Sequence, residues 1–379
     1  MSGVGHRQDD GMSTIAGTPA VGRAQALWAR LRTREAALGE MPPDADDLPW
    51  YLATLLGISA WIAAGFLFGF AFQLLGGLDD EAAPVAMLGI IACASGLALM
   101  RLRRGRGFAE QFGIACSLVG QALCASAIHL ALKDGLPYSH SASYTPAWLG
   151  LAAFSVAMAV LGPPRLHRFL CGLFTAGGLA AAFYTVDAEP LQLLVAPVLA
   201  GVALWLWLRI ARPGDAGARA DNVLSPAAWA FSLVAMITLW LGTDGSERYW
   251  QWTGYLDLIR VTFWLTSLIV VLLLPLCVAV LMQGSAQVWR RTGEAAVFAL
   301  LVVGAPGVAF CLMLALLGFA LHRPALLGVG LLGMAVYLIR YYYQLDVPLL
   351  QKSGWLLAGG AALLLARMVW RRSAPEEAA

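Results

Sequence analysis

A chain of 379 residues that is 60% hydrophobic and only 13% charged, with a mean hydropathy of +0.71, carries more apolar surface than a soluble core of that length hides. Soluble domains run at about 45–50% apolar and about 25% charged. A net charge of +2 supplies no broad basic surface for nucleic acid, so the expected surroundings are a lipid bilayer and the expected class is an all-α, polytopic transmembrane helical bundle.

Residues 1–49 are polar, lack the early apolar core of a cleaved signal peptide, and read as a cytoplasmic N-terminal segment. Within it, "AQALWARLRTREAALGE" (24–40) places Leu27, Trp28, Leu31 and Leu38 near helical spacing. The spacing predicts a short amphipathic helix, lying on the membrane surface or packed on the protein's own loops. "MPPDADDLP" then ends it with prolines and acids.

A transmembrane domain follows over 50–370, with a polar tail at 371–379. Apolar runs predict spans at 50–75, 84–100, 110–132, 147–161, 169–186, 190–208, 226–241, 258–282, 295–320, 325–340 and 347–370. A crossing takes roughly 17–25 residues, so the count is eleven, with ten or twelve allowed. "RLRRGR", "RLHR", "RIARPGDAGAR" and "QVWRR" follow spans two, four, six and eight, whereas "GGLDDEAA" and "VDAEP" hold only acids. Cytoplasmic loops collect arginine and lysine, which puts the N-terminus and the even-numbered loops in the cytoplasm. Eleven spans, however, would leave "RMVWRR" outside. A late run that does not cross, a re-entrant 325–340, or an overlooked split would each resolve the conflict.

Between spans seven and eight, "GTDGSERYWQWTGY" (242–255) reads as the longest external loop, its aromatic rings suited to the headgroup zone. "GFLFG" carries Gly65 and Gly69 at the spacing of close helix packing. "VVGAPGVAF" holds Gly304, Pro306 and Gly307 in the middle of predicted span nine, where a broken helix could form a transporter's midplane site.

Chemical signatures are sparse. No Walker loop, His-Glu-x-x-His helix, Gly-x-Ser-x-Gly elbow or dinucleotide fingerprint occurs, so there is no ground for an enzymatic assignment, a cofactor or a metal. The six cysteines sit inside apolar runs, where they act as small hydrophobes. The five histidines are scattered and none is spaced as a metal pair; His129 falls near Lys133 and Asp134, and His140 in the polar loop "YSHSASY". Gln121 and Gln192 are amides within or near spans, placed to hydrogen-bond between helices.

"RYYYQLDVPLLQKS" (340–353) sets three tyrosines, two cations, one acid and two amides between two long apolar runs. Arg340 complements a helix C-terminus, and Tyr342 and Tyr343 suit an interface. Asp346 is placed to cap the next helix, with Pro348 in its first turn. Lys352 lies about 8 Å inside that helix, positioned to snorkel or to meet an anion or headgroup.

"YYYQLDVPLLQKSGWLLAGGAALLL" resembles the terminal signature of an uncharacterised family of bacterial multi-pass inner-membrane proteins, through Tyr342, Tyr343, Leu345, Leu349, Leu350, Lys352 and Ser353. "PWYLATLLGISAWIAAGFLFGF" is similar to that family's first span. The resemblance implies a bacterial inner-membrane location and no known reaction. The function expected is that of a non-catalytic membrane subunit or envelope component that binds lipid or a membrane-protein partner, with a secondary transporter as the alternative.

Overall fold

The computed structural model describes residues 50–74, 81–102, 107–133, 142–186, 192, 194–211, 217–250, 256–344, 354 and 357. The amphipathic helix predicted at 24–40, the His140 loop, Asp346, Lys352 and most of the run 347–370 lie outside them. The described helices beyond Ile58 belong to one compact unit that begins at Ser59.

Lipid offers the backbone no hydrogen-bond partner, so apolar runs must satisfy their N–H and C=O groups internally, as helices. The described residues are all-α: α1 (Trp50–Leu74), α2 (Ala82–Leu102), α3 (Gly107–Leu132), α4 (Thr145–Leu161), α5 (Arg165–Thr185), α6 (Val195–Ala211), α7 (Gly217–Trp250), α8 (Leu256–Leu281), α9 (Val288–Leu301), α10 (Pro306–Ala320) and α11 (Pro324–Gln344). Among the described residues five segments are long and apolar enough to cross a membrane: α2, α3, α5, Asn222–Leu241 of α7 and Trp264–Leu281 of α8. Shorter apolar helices make up most of the rest. Large apolar side chains point outward, among them Phe66 at 77% and Phe319 at 73% exposure, as lipid-facing residues do.

Two expectations need correction. The loop predicted at 242–255 is helical through Trp250, because α7 continues unbroken from Gly217; no proline follows Pro226 to force the chain out of the helix. The larger correction concerns predicted span nine. Residues 295–320 are two helices, α9 and α10, joined by the turn Val302–Ala305, with Pro306 in the first turn of α10.

These two helices run in opposite directions. After the α8–α9 turn, where Gly284 takes φ +87°, the chain returns along α8 until Gly304 stands beside the Trp264 ring. Helix α10 then descends: Gly307 faces Tyr337 and Gly318 faces Leu326 and Leu327, an antiparallel register with α11. At the lower end Arg323 reaches Ser225, near the start of α7. At the upper end Tyr337 donates to Met236 O and Arg340 to Trp240 O. Successive helices in this unit therefore alternate in direction throughout. Helix α11 has 21 residues, about 31 Å, and its apolar part, Pro324–Arg340, is one of the shorter apolar stretches, as the run 325–340 predicted.

The turn into α11 is a Schellman motif. Arg323 N donates to Gly318 O at 2.8 Å and His322 N to Phe319 O at 3.2 Å. His322 itself takes φ +52°, a conformation that disfavours residues with a Cβ by roughly 1–2 kcal/mol. His322→Gly is therefore expected to stabilise the protein by about 0.5–1 kcal/mol, net of the added freedom of the unfolded chain. Thermal unfolding in detergent checks this, and an unchanged or lower Tm would contradict it.

Close packing is concentrated elsewhere than expected. No described atom lies within 4 Å of a Cβ built at Gly65 or Gly69, so among the described residues no helix packs closely on "GFLFG". The buried face of α1 is Ala60, Ala64 and Phe68 instead. Glycines seven residues apart bring α2 and α3 together: Gly89 and Gly96 meet Gly120 and Gly113. The largest apolar core lies among α6, α7, α8, α10 and α11, around Trp207, Phe310, Leu274 and Leu314.

Candidate functional site

The first four complete helices of the unit that begins at Ser59, α2 to α5, enclose a polar network. Ser117 and Gln121 lie one turn apart on α3, as do His167 and Cys171 on α5, so each pair shares a helix face. Ser155 approaches from α4. Ser155 Oγ donates to Gln121 Oε1 at 2.7 Å, Gln121 Nε2 donates to Ser117 Oγ at 3.4 Å, and Ser117 Oγ lies 3.0 Å from His167 Nε2. Taken in that order, Ser117 donates to Nε2 and the ring proton falls on Nδ1. Cys171 Sγ lies 3.5 Å from Gln121 Nε2, and Cys93 of α2 donates to Ser117 O at 3.4 Å. Ser117, Gln121, Ser155, His167 and Cys171 have no exposed surface.

A serine hydroxyl on an imidazole is the opening element of a nucleophile and base pair, yet the surroundings suit a fastener. A Cβ at Gly162 would fall 2.1 Å from His167 Nδ1, so the α4–α5 turn closes tightly over the ring. Each polar group answers another, the condition under which a buried network rigidifies its helices. Of this network the sequence reading marked only Gln121 as an interhelical amide. The missed signal was the polar pairs at i and i+4 on α3 and α5, continued by Thr175, which donates to Cys171 O at 2.9 Å.

The two histidines and the C-terminal residues singled out above fare differently. His129 stacks on Tyr144 at 4.1 Å and bonds Ser143 O through Nδ1 at 3.1 Å, a contact that fastens the end of α3 to the start of α4. Gln192 donates weakly to Tyr184 O and Val186 O. Arg340, Gly304, Pro306 and Gly307 come together at the upper end of α10 and α11. The Arg340 guanidinium is 4.4 Å from the Trp240 ring centroid and donates to Trp240 O. The Tyr337 ring covers Gly307 so closely that an added Cβ would lie 2.3 Å from it. Tyr343 is 75% exposed. Tyr342 is helical, its side chain outside the described residues. Gly304 thus lies in a turn beside Trp264, and Pro306 and Gly307 open α10 at one end of the helices, which replaces the expectation of a helix broken half-way along.

At the opposite end lie seven of the arginines whose side chains are described. Arg101, Arg165, Arg168, Arg209, Arg290, Arg291 and Arg323 all sit where helices of the down direction finish or those of the up direction begin. Among the described residues no group of three His, Cys, Asp or Glu side chains could hold a metal ion.

No curated protein and no solved structure matches the chain. Residues 49–373 match the family described as Domain of unknown function (DUF4401). That match takes in every described helix, the polar network, the arginine-lined face and the Arg340 end alike. The chain belongs to this family of unknown function.

Proposed function

We propose that the chain is a multi-pass protein of a bacterial inner membrane that crosses the bilayer twelve times, with both termini in the cytoplasm. It acts without a catalytic centre, as a membrane subunit or envelope component that binds lipid or a membrane-protein partner. The observation that carries this reading is the sorting of arginines: with α9 and α10 counted separately, seven described arginines share one end of alternating helices. Arginine-rich ends face the cytoplasm. The apolar run 347–370 adds the twelfth crossing and returns "RMVWRR" to the cytoplasm, so the conflict of the eleven-span count disappears.

Reporter fusions test the topology. A reporter placed after Gly304 should read periplasm, and one after His322 or at the C-terminus should read cytoplasm. An eleven-span protein would put His322 in the periplasm, and that result would overturn the reading. For the functional half, crosslinking in native membranes should capture a stable partner or lipid. Solute uptake into liposomes that is lost when Pro306 and Gly307 are changed would replace it with transport.

A further inference from the structure

Three arginines converge where α4 ends and α5 begins. Arg101 reaches across from α2 and donates through its NH2 group to Leu161 O at 3.1 Å. Arg168 donates through Nε to Gly162 O at 3.0 Å and Ala159 O at 3.3 Å, and through NH1 to Asn222 O at 3.1 Å. Arg165 donates through Nε to Asn222 Oδ1 at 2.9 Å and through NH2 to the same oxygen. Every acceptor is a neutral carbonyl. The described ion pairs of this face, Arg290–Glu294 and Arg291–Glu294, lie on α9 instead.

A guanidinium has five N–H donors in a fixed fork. Arg101 uses one nitrogen here, and Arg165 and Arg168 two each, so donors are left over on all three. Asn222 draws Arg165 and Arg168 to a single residue without supplying negative charge. Like charges gathered at the edge of a low-dielectric region repel, and an anion shared among them offsets that cost. Arg101 and Arg165 are exposed, so the position is open to a ligand. Planar forks that pair two oxygens at once suit phosphate particularly well.

We propose that Arg101, Arg165 and Arg168 form a binding site for an anionic phosphate group, supplied either by an acidic phospholipid headgroup or by free inorganic phosphate. The site gives a chemical class to the lipid-binding function proposed above and rests on that reading for its depth at the cytoplasmic surface.

The full-length protein, purified in mild detergent, is unfolded thermally with added phosphatidylglycerol, phosphatidylcholine or inorganic phosphate. Phosphatidylglycerol or inorganic phosphate should raise Tm more than net-neutral phosphatidylcholine does, with about tenfold weaker apparent binding in the R101Q/R165Q variant. R101K/R165K should recover part of the preference, and R290Q should keep all of it. A shift with phosphatidylglycerol alone identifies the headgroup; a shift with inorganic phosphate identifies the soluble anion. If the double variant does not fold, R101Q carries the comparison, since the hydrogen bond that Arg101 makes among the described residues is the single one to Leu161 O. Arg168 is left intact because it holds the end of α4. Equal shifts with all three additives, or an undiminished preference in the variants, would overturn the site. That outcome in a protein whose His322 reporter still reads cytoplasm leaves the topology standing, whereas a periplasmic reading at His322 condemns the topology alone.

Discussion

Gly96→Ala is expected to destabilise the protein by about 3 kcal/mol or more, whereas Gly65→Ala, the same change on a neighbouring helix, is expected to stabilise it. A Cβ at Gly96 falls 2.5 Å from Gly113 O, 2.8 Å from Ser117 N and 3.2 Å from Ser117 Cα. All three are backbone atoms of α3, so no rotamer change relieves the contact and the helices must move apart. Overpacking a tight interface costs about 1–3 kcal/mol even where side chains are able to yield. Here separation also pulls Ser117 O away from Cys93 of α2, so packing and hydrogen bonding are lost together. At Gly65 no described atom is within 4 Å, and alanine gains the roughly 0.5–1 kcal/mol by which it surpasses glycine inside a helix. Thermal unfolding in detergent should therefore move in opposite directions for the two variants. A Gly96→Ala protein that melts with the wild type would show that α2 and α3 are not packed as described.

This contrast also marks how far the sequence alone could be read. "GFLFG" and the seven-residue glycine spacing of α2 and α3 are equally plain in the sequence. Which of them packs depends on where neighbouring helices stand, and hydropathy carries no such information. The helices themselves were legible because lipid imposes long apolar runs, and the first eight predicted runs each coincide with one helix, α1 to α8. Failure came at residues 295–320. Turn residues Val302–Ala305 are as apolar as the short helices they join, so two crossings merge into one hydropathy peak. The Gly-Ala-Pro-Gly stretch did signal an interruption. Whether the chain goes on or reverses there depends on α10 packing back against α8 and α11. The only trace of reversal in the sequence was indirect: with eleven spans the C-terminal arginines end up on the wrong side.

The candidate residues divide along the same line. Arg340, Gly304, Pro306 and Gly307 were chosen for separate reasons and meet at one end of the bundle, because α10 and α11 pair in antiparallel register. Lys352 and Asp346 lie outside the described residues. The polar network went unread because a single histidine, two serines, a glutamine and a cysteine on three helices have no linear signature; only their i, i+4 spacing within α3 and within α5 hinted at a shared face.

Gln121→Leu should be the most damaging change within that network, at about 2–4 kcal/mol. The side chain is nearly isosteric, so little packing is lost, and the cost is that of stranding polar groups. Ser155 loses its acceptor and Ser117 its donor, and each unsatisfied buried group costs about 1–3 kcal/mol. An amide suits this place: it accepts from one hydroxyl and donates to another, which an ionised carboxylate or an ammonium does not do. Removing both partners tells whether the chain of bonds acts as a unit. In Gln121→Leu with Ser155→Ala the stranded Ser155 hydroxyl is gone, so the double variant should fall short of the summed losses by about 1 kcal/mol. That coupling exceeds the membrane average of about 0.6 kcal/mol because neither group has another described side-chain partner of comparable geometry. Ser155→Ala alone should cost less than Gln121→Leu, since it strands one lone pair rather than two hydroxyls. Strict additivity in thermal unfolding would mean that the 2.7 Å contact contributes nothing to stability, and that apolar packing alone holds α3 against α4.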